Sequence, residues 1–464
     1  MSRPFPKDDP FLAGNFAPLG FEADAHDLVI RGELPRGLEG ALYRNGANPQ
    51  FAPRGRYHWF DGDGMIHGFF FENGRVSYRN RWVRTEKWQR ERVAGESLFG
   101  GLSDMTATHE SVSGVSGNTA NTNIVWHAGR LLALWEGGLP TELDPVTLET
   151  RGTWDFAGRF GRRNHETGIM TAHPKLDPQT GEMLMFGYSA IDPFLVYNVV
   201  DANGALVKSV EIEVPWASMM HDFITTSEHV IFPVFPVVFD LAAIANGGSV
   251  LSWQPERGTK LGVMPRHGTS RDVRWFDTEP CFVFHAMNAH TDGARVICDV
   301  AQTDVVPLFA EGGGPPNLTR WTIDLARGDV RQERLDDVPI EFPRLDERYT
   351  GLRYAHGYAG GVTRERKGAV MFDSILHYNV QTGSRSAHVL PEHTYTGEPV
   401  FVPLRANAPE GEGVLLATIY REPERTSALL VLDAENVEKE PLATIELDTR
   451  VPFGFHGNWR SARS

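Results

Sequence analysis

Four of the 17 histidines in the sequence stand beside apolar residues, in settings typical of strand edges. These four are His173, His221, His285 and His456. Successive members are 48, 64 and 171 residues apart, so no short metal-binding motif contains two of them. A shared site would therefore require four separate segments of the chain to point at one axis.

Neutral imidazole rings are ligands for borderline metals such as iron(II), zinc or copper. They leave the charge of the metal uncompensated, and proteins usually add carboxylates that accept the second ring N–H of a ligating histidine. Three glutamates in apolar or proline- and glycine-rich settings are candidates for this role: Glu136, Glu341 and Glu398. Judged by spacing alone, the histidines could equally be hydrogen-bonded core residues, and each glutamate a solvated surface carboxylate.

The elements that would position these residues are strands. The sequence has 47 glycines, 30 prolines, 27 phenylalanines and 11 tryptophans, a composition that favours strands and turns over long helices. Asn73 and Gly74 lie between two apolar segments and predict a tight hairpin. Similar polar turns recur along the chain without a strict period. We therefore predict an all-β fold, and a β-propeller would bring distant hairpins to one central channel.

Charge and cysteine content narrow the class of protein. A formal net charge of −15 argues against a nucleic-acid surface. Cys281 and Cys298 are too few for a disulfide framework, which predicts a reducing compartment and two buried thiols. The N-terminal residues carry no apolar signal segment, and no stretch reaches the length of a membrane span. We expect a cytoplasmic protein without an obligate protein partner.

The apolar stretch at residues 231–244 permits two interpretations. A buried strand is the usual meaning of such a run. Alternatively, part of it forms an exposed patch that docks on a membrane and takes up a lipid-dissolved substrate. The second interpretation is a hypothesis of peripheral membrane contact.

Short motifs spread over nearly the whole chain resemble those of the carotenoid cleavage oxygenase family, which also contains stilbene-cleaving and isoeugenol-cleaving enzymes. The matching stretches are YRNG at residues 43–46, FDGDGM at 60–65, residues 134–140 around Glu136, TAHP at 171–174, MHD at 220–222, FH at 284–285 with NA at 288–289, EFPR at 341–344, GEPVFVP at 397–403 and FHG at 455–457. Each motif alone is a weak signal. Their occurrence together makes the resemblance specific.

The resemblance implies a seven-bladed β-propeller in which residues 1–464 form a single domain, with loops and a helix capping the active site. It also implies iron(II) on the propeller axis, with glutamates 136, 341 and 398 hydrogen-bonded to three of the four ligating histidines. The implied iron ligands are His173, His221, His285 and His456.

The reaction implied by the resemblance is oxidative cleavage of a carbon–carbon double bond, in which dioxygen is added and two carbonyl products separate. It consumes no external reductant, and the sequence agrees, since it has neither a P-loop nor a G-x-G-x-x-G motif after a strand. Thr122 resembles the family position whose side chain crowds one open iron position and leaves the other for dioxygen. A threonine in an ordinary hairpin is the alternative interpretation.

The substrate is expected to be a small apolar alkene. In phenolic members of the family, a tyrosine and a lysine hold the substrate hydroxyl group; here Trp135 stands at the lysine position and Leu102, by register, at the tyrosine position. Such a lining favours a long apolar chain, so an apocarotenoid or carotenoid is the first expectation. A stilbene or phenylpropenoid is the alternative, because Trp135 could serve packing alone. A non-catalytic propeller is disfavoured, since a protein used only for binding has no reason to keep the four histidines and three glutamates as buried polar residues.

Overall fold

Strands dominate the structure, a computed structural model that describes residues 3–102, 104–160, 168–240, 249–306, 314–364 and 372–462. Within these ranges the chain forms 32 strands, a single α-helix of nine residues and several short 3-10 turns. The prediction of a mostly β protein is confirmed. None of the described residues forms a helix long and apolar enough to span a membrane.

The strands and the helix follow one another in three runs. The first run contains β1 (Ala23–Ala25), β2 (Ile30–Gly32), β3 (Gly40–Ala47), β4 (Gly64–Glu72), β5 (Arg75–Trp82), α1 (Glu86–Ala94), β6 (Asn123–His127), β7 (Arg130–Leu134), β8 (Thr141–Leu143) and β9 (Thr150–Thr153). The second contains β10 (Lys175–Leu176), β11 (Met183–Tyr188), β12 (Leu195–Val200), β13 (Leu206–Glu211), β14 (Ile224–Thr225), β15 (His229–Val234), β16 (Val237–Phe239), β17 (Leu251–Trp253), β18 (Thr259–Pro265), β19 (Arg274–Thr278), β20 (Phe282–Asp292), β21 (Arg295–Thr303), β22 (Asn317–Asp324), β23 (Asp329–Leu345), β24 (His356–Gly361), β25 (Ser374–Asn379) and β26 (Ser384–Val389). The third contains β27 (Thr394–Thr396), β28 (Val400–Pro403), β29 (Gly413–Arg421), β30 (Thr426–Asp433), β31 (Ala443–Glu446) and β32 (Gly457–Ser461).

The chain divides into two compact units. The first unit comprises Met1–Gly158, Arg366–Asp373 and His388–Ser464, and the second comprises Arg159–Glu365 and Ser374–Ala387. In the first unit, one sheet has the order β1-β5-β4-β3-β32, a second is β6 to β9, and a third is β2-β31-β30-β29-β27 with β28 also on β29. The last strand therefore pairs with the third, which ties the end of the chain into a sheet of five strands.

In the second unit, β10 to β13 form one antiparallel sheet, and β14, β15, β18 and β19 form another. Strands β16 and β17 form a separate two-stranded sheet. Strands β20 to β26 run as a seven-stranded meander. Its long strand β23 pairs with β22 through residues 329–339 and with β24 through residues 340–345, so the meander consists of two four-stranded groups that share β23.

The predicted hairpin at Asn73 and Gly74 is confirmed. These two residues connect β4 to β5, where Glu72 faces Arg75. Their φ angles are +52° and +73°. Asparagine and glycine tolerate this left-handed backbone better than other residues, which explains their presence in a two-residue turn.

Apolar side chains fill the interior of both units. Trp321, Phe282 and Phe235 are fully buried in the second unit, together with Cys281 and Cys298. Both cysteines are free thiols, as predicted, and burial raises the pKa of Cys281 to about 12. Deep burial keeps the thiol protonated, so it packs as a small apolar side chain.

The hypothesis of an exposed apolar patch in residues 231–244 is wrong for its first part. Residues 231–238 are buried, and most of them belong to β15 and β16. Ile231, Phe232 and Val234 have no exposed surface. A strand covered on both faces needs apolar residues at every position, and from sequence this looks the same as a membrane-docking patch. Residues 241–244 lie outside the described residues.

Candidate metal centre

Three of the four predicted ligands lie side by side in the second unit. We call His173, His221 and His285 the histidine trio. Their ring centroids are 4.5 Å apart between the first two, 4.9 Å between the first and third, and 5.1 Å between the second and third. All three side chains are buried. His173 lies two positions before β10, His221 lies three positions before β14, and His285 belongs to β20.

Local contacts hold each member of the trio in place. The backbone N–H of His173 donates to the hydroxyl of Thr171 at 2.9 Å. The ring of His221 meets the edge of Phe284, with centroids 5.3 Å apart. Aromatic carbon on the flank of an imidazole restricts its rotation and excludes water from its sides.

The His285 ring is oriented by a carboxylate. Its Nδ1 lies 2.5 Å from Oε2 of Glu341, and the same oxygen accepts the backbone N–H of Phe342 at 2.5 Å. An imidazole whose Nδ1 carries the proton for such a bond presents the lone pair of Nε2 on its other side. Glu341 therefore fixes the orientation of the His285 ring.

His456, in the first unit, is tied down by both backbone and side chain. Its carbonyl accepts the N–H of Asn45 at 2.9 Å, and its own N–H donates to the carbonyl of Thr122 at 3.1 Å. Its Nδ1 lies 2.8 Å from Oε1 of Glu398, whose second oxygen accepts the N–H of Gly457 at 2.8 Å. Glu398 thus orients His456 as Glu341 orients His285.

The ring nitrogens meet the spacing that a metal ion requires. One nitrogen from each of His173, His221 and His285 lies within 4.8 Å of the other two. Nε2 of His173 and Nε2 of His221 are 2.9 Å apart. Nitrogens bound at about 2.0–2.1 Å to a common metal lie about 3–4 Å from one another. Since all three donors of the trio are imidazoles and no thiolate is among them, the trio fits a borderline divalent metal such as iron(II).

The predicted roles of Thr122 and Glu136 remain predictions. Thr122 is half-buried, and its hydroxyl donates to Oδ1 of Asn121 at 2.9 Å. Its carbonyl is the group that accepts the N–H of His456. Glu136 is half-buried in the turn after β7. The structure thus brings Thr122 next to a predicted ligand through the backbone.

The two residues predicted to line the substrate site lie in different settings. Leu102 is 44% exposed, and its N–H donates to Oδ1 of Asp61 at 2.7 Å. The ring of Trp135 lies against Gly137, where an added Cβ would come within 2.6 Å of it. It also lies over Gly138. The tryptophan therefore has a packing role in its own turn, so its presence at this position is a weak guide to the substrate.

Two charged residues next to the trio were not singled out from the sequence. Lys175 follows His173 by two positions, and Asp222 follows His221 directly. Their ends lie 2.7 Å apart, and the Asp222 side chain is 4% exposed. The sequence offered one signal for this pair, namely a charged residue within two positions of His173 and another beside His221. The pairing itself joins segments 47 residues apart, which sequence reading does not reveal.

Replacing Glu398 by glutamine is expected to weaken metal binding about 10- to 100-fold, because the neutral amide removes negative charge from the partner of His456. Isothermal titration of the metal-free protein with cobalt(II) measures this change. Glu446→Gln is the matched control, since Glu446 pairs with Arg421 on the same sheet. Equal affinities of the two variants would contradict the role of Glu398.

The chain matches one family model over residues 16–461, and that model is described as Retinal pigment epithelial membrane protein. It is 37% identical to isoeugenol monooxygenase of Pseudomonas putida, over 98% of this chain and 99% of the relative. It is 34% identical to a carotenoid cleavage oxygenase of Mycobacterium tuberculosis, over 97% of both chains. Among solved structures, the lignostilbene dioxygenase of Pseudomonas brassicacearum superposes with a TM-score of 0.93 at 35% identity, covering 99% of this chain and 100% of the other.

Proposed function

Because the chain belongs to the carotenoid cleavage oxygenase family, as its match to the family model and to a carotenoid cleavage oxygenase shows, we propose that it is a non-haem iron(II) oxygenase. In this proposal it cleaves a carbon–carbon double bond with dioxygen. The observation that carries this proposal is the cluster of three histidine rings in the second unit, whose centroids lie 4.5 to 5.1 Å apart. A fourth histidine, His456, is held by Glu398 as His285 is held by Glu341. Neutral nitrogen donors without thiolate suit iron(II), which needs open positions for dioxygen.

The four histidines would hold the metal, and the remaining groups would prepare them. Bound iron(II) would supply the activation of dioxygen for addition across the alkene. Glu341 and Glu398 hold the Nδ1 protons of His285 and His456, so these rings stay in one tautomer and one orientation. Carboxylates at this distance also offset the positive charge that four neutral ligands leave uncompensated.

Aromatic side chains beside these histidines would keep the site dry. The centroid of Phe342 lies 5.5 Å from that of His285, and Phe284 flanks His221. Phe455 precedes His456 and is buried against Trp59, with centroids 4.5 Å apart. Excluding water limits competing reactions and favours an apolar alkene over a polar substrate.

The fold that we propose is a seven-bladed β-propeller with the metal on its axis, formed by residues 1–464 as one domain under a cap of loops and a helix. It is supported by the strand pairing, since the meander of β20 to β26 comprises two four-stranded groups that share β23. When this meander is counted as two groups, the described residues form seven groups of four or more paired strands. Blades of this kind place the first strand of each group toward a common channel.

The substrate that we propose is a phenylpropenoid or a stilbene. This is supported by the similarity to isoeugenol monooxygenase and by the superposition with a lignostilbene dioxygenase, both over almost the full chain. An apocarotenoid is the second candidate. It is favoured by Trp135 and Leu102, which stand where phenolic relatives are expected to have a lysine and a tyrosine.

A direct comparison of substrates tests this choice. The iron-loaded protein is incubated separately with isoeugenol, a 4-hydroxystilbene and an apocarotenal, and the aldehyde products are quantified. We expect kcat/KM for one of the two phenolic alkenes to exceed that for the apocarotenal by at least about 10-fold, a difference that pocket contacts readily supply. A preference for the apocarotenal would favour the second candidate. Iron-free protein is the control for uncatalysed oxidation.

A further inference from the structure

A buried carboxylate links the three segments that carry the histidine trio. Oδ1 of Asp222 lies 2.7 Å from Nζ of Lys175, two residues beyond the first histidine of the trio. Its Oδ2 accepts the N–H of Ala286, which directly follows the third histidine, at 3.0 Å. Asp222 itself follows the second histidine. One side chain therefore joins all three segments within two residues of each ring.

The contact with Ala286 falls at an irregular point of strand β20. The pairing of β20 with β21 shifts register on both sides of Ala286, between Val283 and Ala286 and again between Ala286 and Asn288. Such irregularities re-aim side chains and are common beside active sites. By accepting the N–H of Ala286, Asp222 holds this irregular geometry and, with it, the direction of the His285 side chain.

Lys175 makes the buried carboxylate tolerable. Its side chain is 20% exposed, whereas that of Asp222 is 4% exposed. The ammonium group also lies over the ring of Phe223, 5.9 Å from its centroid, and Oδ1 of Asp222 accepts the N–H of Phe223 at 2.8 Å. Without the lysine, the carboxylate would be a buried charge with backbone donors alone, and such a charge is costly. The lysine and the aspartate therefore act as one unit.

We infer that Asp222 and Lys175 are positioning residues for the metal site, which set the spacing of the ring nitrogens in the histidine trio. This inference rests on the proposed metal site. A metal ion tolerates only small changes in the distances to its ligands, so a rigid link between three ligand-bearing segments raises its affinity. Neither residue touches the metal or the substrate in this role.

Cobalt(II) binding to the metal-free full-length protein tests the inference, with the ligand-field absorption of cobalt as a second readout. We expect Asp222→Asn to weaken binding about 10- to 100-fold and Lys175→Met about 10-fold, each with an altered absorption spectrum. Lys175→Arg keeps the ion pair and is expected to restore affinity and spectrum. The double variant is expected to bind cobalt within about 3-fold of Asp222→Asn, because both substitutions break the same ion pair.

Asp177→Asn is the matched control, since Asp177 forms a buried ion pair with Arg266 in the same unit. It is expected to lower the thermal midpoint while leaving cobalt affinity at the wild-type value. If Asp222→Asn and Lys175→Met both bind cobalt as tightly as this control, the inference is overturned and the metal site stands. If the wild type binds no cobalt, both the proposed metal site and this inference are refuted. Should Asp222→Asn not fold, Lys175→Met decides the question by the same measurement.

Discussion

Replacing His285 by alanine is expected to abolish iron retention and to lower alkene-cleaving activity by at least about 1000-fold. The side chain is a buried member of the histidine trio, and its orientation depends on the 2.5 Å contact with Glu341. Without it, the metal loses one of its four proposed neutral ligands, and the half-buried carboxylate of Glu341 loses its ring partner. Iron per chain, measured by metal analysis of anaerobically purified protein, and product formation together check this result.

The control for this experiment lies on the same strand. His290 is also buried on β20, five positions after His285. His290→Ala removes a buried imidazole of equal size, so it carries a similar packing cost without loss of a proposed ligand. It is expected to retain iron at the wild-type level. A His285→Ala protein that kept both iron and activity would remove this histidine from the proposed centre.

Deleting the chain from Phe455 onward is expected to remove the iron and to destabilise the first unit by about 5 kcal/mol. The deletion removes His456 together with β32, which pairs with β3 over five residues from Gly40↔Ser461 to Arg44↔Gly457. It also removes the buried Phe455 ring. Thermal unfolding and metal analysis of the same preparation measure the two losses.

The point variant His456→Ala separates these two effects. It keeps β32 and Phe455, so its thermal midpoint is expected to stay closer to that of the wild type, while its iron content falls as far as in the deletion. This follows because the backbone of His456, which bonds to Asn45 and Thr122, is unchanged by the substitution. Retention of iron by His456→Ala would refute its assignment as a ligand.

Much of the fold could be predicted from local patterns. The hairpin at Asn73 and Gly74 was predictable because the two residues tolerate positive φ angles that other residues avoid, and the turn depends on neighbours in sequence alone. The mostly β character follows in the same way from turn residues and aromatic content. The free, buried state of Cys281 was also predictable, since two cysteines in a long chain rarely serve as a disulfide framework.

The failure at residues 231–238 has a physical cause. Burial is decided by what covers the two faces of a strand, and on β15 Ile231 packs into one apolar cluster while Phe232 and Val234 pack into another. An apolar run carries no information about these neighbours, so an exposed patch and a covered strand have the same sequence. The same reasoning applies to Trp135, whose ring lies on the glycines of its own turn.

The sequence by itself determined which chemistry was available: four histidines in apolar settings, glutamates able to hold their second nitrogens, and turns that build a mostly β fold. The tertiary structure alone decided the pairing of Glu341 with His285, the pairing of Glu398 with His456, and the place of Asp222. Hydrogen bonds and metal coordination require atoms within about 3 Å, and in this protein those atoms come from segments dozens of residues apart. Residue types can be read along the chain, but distances between remote segments exist only after the strands have paired.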